Sequence, residues 1–102
     1  MTNDDSYLAK LVWALQHPEP ETAMRAAILL GRMGREARPA MPQLQATLTS
    51  SDDVYLRAQI LRACAAIDAK VAVPLLRQAQ RDPSVIVRQA AEEELRRLTD
   101  PG

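Results

Sequence analysis

The sequence predicts an all-α fold, an α-solenoid of three stacked helical hairpins with about six helices in one domain spanning residues 1–102. Three observations carry that prediction. The composition favours helix: there are 17 Ala and 13 Leu, no Phe and only three Gly, and no long run alternates apolar and polar residues as a half-buried strand would. Apolar residues recur at helical spacing. The whole pattern then repeats every 31 to 34 residues, a period that marks solenoids.

The repeats are read at about 6–34, 39–68 and 71–99. Each divides into two helices, near 6–16 and 21–34, 39–50 and 54–68, and 71–81 and 84–99. The first helix carries Leu8, Leu11, Val12 and Leu15, the i, i+3, i+4, i+7 signature of one buried face. Helix four repeats it with Leu56, Ile60, Cys64 and Ile67, and helix six with Val87, Ala91, Leu95 and Leu98. Prolines 18, 20, 39, 42, 74 and 83 are expected at the joints, where a first helical turn tolerates them. Asp5 or Ser6, Asp53 and Ser84 are candidate N-caps. A single hairpin cannot cover its own apolar face, so stacking must close the core. Ala26, Ala27, Ala63, Ala90 and Ala91 are small enough to let neighbouring helices approach.

Thirteen basic residues balance thirteen acidic ones, so no long-range field draws the chain to nucleic acid or an anionic membrane. No apolar run approaches the roughly 18 residues of a membrane span. The first ten residues lack the apolar core of a signal peptide, and Met1 and the short end Asp100-Pro101-Gly102 read as natural termini. A cytoplasmic protein is expected. Cys64 is alone, so no internal disulfide forms.

The stretch LLGRMGREARPAMPQL, residues 29–44, resembles the end of one HEAT repeat and the start of the next. DPSVIVRQAAEEELRRL, residues 82–98, with its acidic turn followed by Val-Arg, resembles the same repeat. The resemblance covers residues 8–98 and is closest to the short bacterial HEAT-like repeats of scaffolds, assembly factors and phycobilisome-lyase-like proteins. It implies a polar ladder along the stack, Asp52 or Asp53 with Arg57 and Asp82 with Arg88. In the first repeat Ala23 stands at the Arg position and His17 at the turn Asp, so the ladder is not expected there. A resemblance of this kind fixes fold far better than function.

No catalytic constellation emerges. Cys64 lies on a buried stripe, far from any base, and reads as a core residue. His17 reads as a turn residue. There is no His-Glu pair or Cys cluster to hold a metal, no glycine-rich phosphate loop, and no cofactor is expected. Glu92-Glu93-Glu94 reads as a solvated face.

A protein partner is therefore the favoured reading: a small adaptor, scaffold or accessory subunit. In HEAT-like stacks the second helices line the concave face. A helical wheel turns Met24, Ile28 and Arg32 outward on helix two, and Tyr55 and Arg62 on helix four. On helix six it turns out Ile86, Gln89, Glu93 and Arg96. These form a candidate groove, apolar in the middle and charged at the rim, for a helix or an extended segment. The competing explanation is that Met24, Ile28, Tyr55 and Ile86 pack between repeats. Trp13 lies about 150° from the stripe of its helix, close to Tyr7, and is expected to meet a partner or a second copy of the chain. Nucleic-acid binding through Arg32, Arg35, Arg38 and Arg62 is the disfavoured alternative. A role in tetrapyrrole attachment or turnover rests on the family resemblance alone.

Overall fold

The computed structural model describes residues 3–99, with side chains from Ser6 onward. The end Asp100-Pro101-Gly102, read above as a natural terminus, lies outside the described residues. Among the described residues six α-helices follow one another: α1 (Asn3–Ala14), α2 (Pro20–Met33), α3 (Met41–Ser50), α4 (Val54–Ile67), α5 (Ala69–Ala79) and α6 (Val85–Thr99), with a 3-10 helix, Gly34–Ala40, leading into α3. They form three antiparallel pairs, α1 with α2, α3 with α4 and α5 with α6. The second helices carry the stack, α2 packing on α4 and α4 on α6. The Cα trace measures 40 × 32 × 17 Å, a slab two helix layers thick.

The helix ends follow local chemistry. Asp53 accepts the Leu56 N–H at 2.9 Å and caps α4. Ser84 accepts from Ile86 and Val87 at 3.1 and 3.4 Å and caps α6. Helix α1 begins at Asn3, so Asp5 and Ser6 fall within its first turn and not at the cap. A cap not anticipated, Asp68, accepts the Val71 N–H at 3.3 Å and starts α5 at Ala69. That earlier start puts Pro74 inside α5, not at a joint; the Lys70 carbonyl loses its helical donor there. Gly34 closes α2 at φ 60° and ψ −135°, donating its N–H to the Gly31 carbonyl, a conformation that side chains disfavour.

Eleven of the alanines are buried, the five expected ones among them, with Leu30, Leu44, Ile60, Leu61 and Leu76 filling the space between. Gly31 marks a close approach. A Cβ built there would lie 3.2 Å from the Ala63 Cα, so α2 and α4 meet almost backbone to backbone. Ala23, at the place where the Arg of the other repeats would stand, is wholly buried. Cys64 is buried as expected, and burial pushes its thiol pKa up to about 12.

The acidic run is not uniformly solvated. Glu92 and Glu93 are exposed, but Glu94 is only 3 % exposed and shares its face with Val87, Ala90 and Ala91. Spacing decides this: Glu94 falls three and seven residues after Ala91 and Val87, on the inward side. Among the described residues its carboxylate accepts one hydrogen bond, from Arg97 at 3.3 Å. A buried carboxylate held by one exposed partner repays little of its desolvation. Glu94→Leu is therefore expected to raise the unfolding free energy by about 1–2 kcal/mol, measured by urea denaturation. A loss of stability instead would mean that the carboxylate, not its stem, is what the site requires.

Candidate protein-binding face

The outward residues of α2 and α4 begin at the helix N-termini. Pro20 opens α2, and Glu21, Met24, Arg25 and Ile28 then follow at spacings of three and four, which brings them to one side of the helix. Tyr55 stands at the second position of α4, just past the Asp53 cap. Together these seven residues line a depression of about 450 Å³ between the two helices. Met24 is half-buried and packs on the core, Ile28 is half-buried, and Tyr55 is 60 % exposed.

The depression thus gathers Met24, Ile28 and Tyr55 of the residues anticipated from sequence. It also recruits Pro20, Glu21, Arg25 and Asp53, which were not anticipated. The helical wheel alone offered a signal for Glu21 and Arg25, one turn before and one residue after Met24. Arg32, Ile86, Gln89 and Arg96 lie on the same second helices but do not line it; Ile86 is half-buried and the other three are exposed. Arg62 and Glu93 pair across α4 and α6 at 3.0 Å, so two rim charges are joined to each other.

The ladder departs from the expected pairing. Asp53 is occupied as a helix cap, and Arg57 passes it to bind the Asp82 carboxylate of the next repeat, while donating through Nε to the Leu48 carbonyl at 3.3 Å. Arg88 does not pair with the Asp82 side chain. It donates to the main-chain carbonyls of Asp82 and Pro83 at 2.7 and 3.0 Å. Asp52 is exposed. Asp82 also accepts the Ser84 N–H at 2.9 Å and has a side chain only 7 % exposed. The Arg57 hydrogen bond holds its pKa below the ordinary 3.8 against the opposing effect of burial, helped by the Ser84 N–H and the charges of Arg57 and Arg88. Asp82 thus ties the third repeat to Arg57 of the second.

Trp13 is 71 % exposed and Tyr7 45 %. The Trp13 ring meets His17 edge-on, with centroids 6.2 Å apart. His17 accepts the Glu19 N–H at 3.1 Å, as a turn residue would. In the basic corner Arg32 and Arg35 are exposed, and Arg38 lies 3.7 Å from Asp68. No group of three His, Cys, Asp or Glu side chains suited to a metal occurs among the described residues, and no described helix is long and apolar enough to cross a membrane.

Paired helices stacked in translation around a shared core define an α-solenoid. The family model for HEAT repeats matches residues 8–96, and the chain belongs to the HEAT-repeat family. HEAT repeats are non-catalytic scaffolds that generally mediate contacts between proteins. No curated protein and no solved structure matches the chain.

Proposed function

We propose that this chain is a protein-interaction module, a small adaptor, scaffold or accessory subunit of the cytoplasm, that receives a helix or extended segment of another protein on the surface of α2 and α4. The observation that carries this is the depression of Met24, Ile28 and Tyr55. It offers apolar surface beside Glu21 and Arg25, the arrangement of an anchor site with a charged rim. Arg32, the Arg62–Glu93 pair, Ile86, Gln89 and Arg96 extend the contact along the same face. Trp13 offers a second contact on α1.

A nucleic-acid role is disfavoured by the balance of thirteen basic and thirteen acidic residues, and two of its four arginines, Arg38 and Arg62, lie beside carboxylates, Asp68 and Glu93. The tetrapyrrole alternative has only the resemblance behind it.

The test compares wild type with Ile28→Asp and Tyr55→Asp in capture of proteins from the native host, alongside circular dichroism. Native helicity with partner capture reduced at least about tenfold, some 1.4 kcal/mol, is expected. Collapse of helicity in both variants would show that these side chains hold repeats together. Undiminished capture by folded variants would remove the depression from the function.

A further inference from the structure

We infer that the chain associates with itself head to tail, with Trp13 of one molecule filling the Met24, Ile28 and Tyr55 depression of the next. The inference rests on the depression being a docking site, and it commits that site to a second copy.

Trp13 supplies the knob. Among the described residues it is the most exposed of the large apolar side chains, at 71 %, and it stands on the side of α1 opposite the buried Leu11 and Leu15. Ala9 and Ser6, four and seven residues earlier, share its side of the helix and are exposed and short, so the indole projects beyond its neighbours. The edge-on contact with His17 gives the ring a neighbour on its own chain.

The depression supplies the hole. At about 450 Å³ it has room for an indole. Its lining matches one: a Met24 thioether, a Tyr55 ring and an Arg25 guanidinium all make favourable contacts with aromatic faces or edges. The charges also match. Lys10 lies one turn before Trp13 on α1 and is exposed, while Glu21 stands at the rim of the depression. Thirteen positive and thirteen negative residues leave no net repulsion between copies.

Knob and hole occupy different elements, the outer side of α1 and the junction of α2 with α4. In a head-to-tail contact one molecule gives its Trp13 to one neighbour and receives another's, so association continues beyond a dimer, whereas two copies exchanging Trp13 reciprocally would stop at a closed pair. A partner segment and a neighbouring copy would also compete for the same hole.

Trp13 is the sole tryptophan, so its emission reports the contact directly. Sedimentation velocity and fluorescence are followed from about 5 to about 500 μM, which brackets weak to moderate association. The wild type is expected to gain mass with concentration while its emission shifts to the blue. Trp13→Ser and Ile28→Asp are each expected to remain monomeric with native helicity. Tyr55→Asp serves if Ile28→Asp fails to fold. The decisive sample is the equimolar mixture of Trp13→Ser with Ile28→Asp. One brings an intact hole and the other an intact knob, so a 1:1 heterodimer forms and grows no further. A wild type that stays monomeric with solvent-exposed emission would overturn the inference, as would an Ile28→Asp variant that dimerises like wild type, the mark of a symmetric Trp13 contact. Monomeric wild type that still captures a partner through Ile28 and Tyr55 leaves the proposed function standing. A 1:1 mixture without any partner capture does the reverse.

Discussion

Leu61→Ala is expected to lower the unfolding free energy by about 2–5 kcal/mol, a large share of the roughly 5–15 kcal/mol that holds an ordinary domain folded. Leu61 is wholly buried on α4. That helix packs against α2, α3, α5 and α6 and so touches all three repeats. In a solenoid stability is close to a sum of repeat and neighbour-interface terms, and α4 takes part in both interfaces. Leu95, on the terminal helix α6, is half-buried and packs on one edge of the core; its truncation is expected to cost about 1 kcal/mol. Urea denaturation followed by circular dichroism measures both. A Leu61→Ala loss no greater than that of Leu95→Ala would contradict the central place of α4. A second transition in Leu61→Ala alone would show that the outer repeats hold together without it.

Much of this architecture was legible in the residues because repeats state the same instruction more than once. Leu56, Ile60 and Cys64 mark the buried side of α4, Asp53 and Ser84 start their helices, and Trp13 falls outside its own stripe, all by spacing alone. What spacing could not show was partner choice across repeats. From sequence, Arg57 has Asp53 four residues before it, a natural helical pair. In the folded chain Asp53 has already given its carboxylate to the Leu56 N–H, and Asp82 is presented by the next turn. Glu94 is a different case. Its position was plainly on the inward side, but a carboxylate in a run of three suggested solvent, and position prevailed. Of the residues the wheel turned outward, Met24, Ile28 and Tyr55 line the depression and those of α6 do not, because direction on one helix does not say which neighbouring helix shares a depression.

Asp82→Ala is expected to cost about 3 kcal/mol, because it leaves the largely covered Arg57 without its carboxylate and the Ser84 N–H without its acceptor. Asp82→Asn separates the two losses. The amide oxygen still accepts from Ser84, so the variant is expected to recover roughly 1 kcal/mol while the charge remains absent. The acid limb of the stability profile identifies the ionic part. The folded-state pKa of Asp82 lies below the ordinary 3.8, so ionisation favours the folded chain at pH values above the ordinary one. That contribution is lost as pH falls from there through the lowered folded value. The stability gap between wild type and Asp82→Asn should hence be constant near neutrality and shrink in acid, whereas the gap between Asp82→Asn and Asp82→Ala should persist. A wild-type to Asn gap that is independent of pH down to the acid limit would show that the guanidinium recognises shape and hydrogen bonding at this joint and draws nothing from the charge.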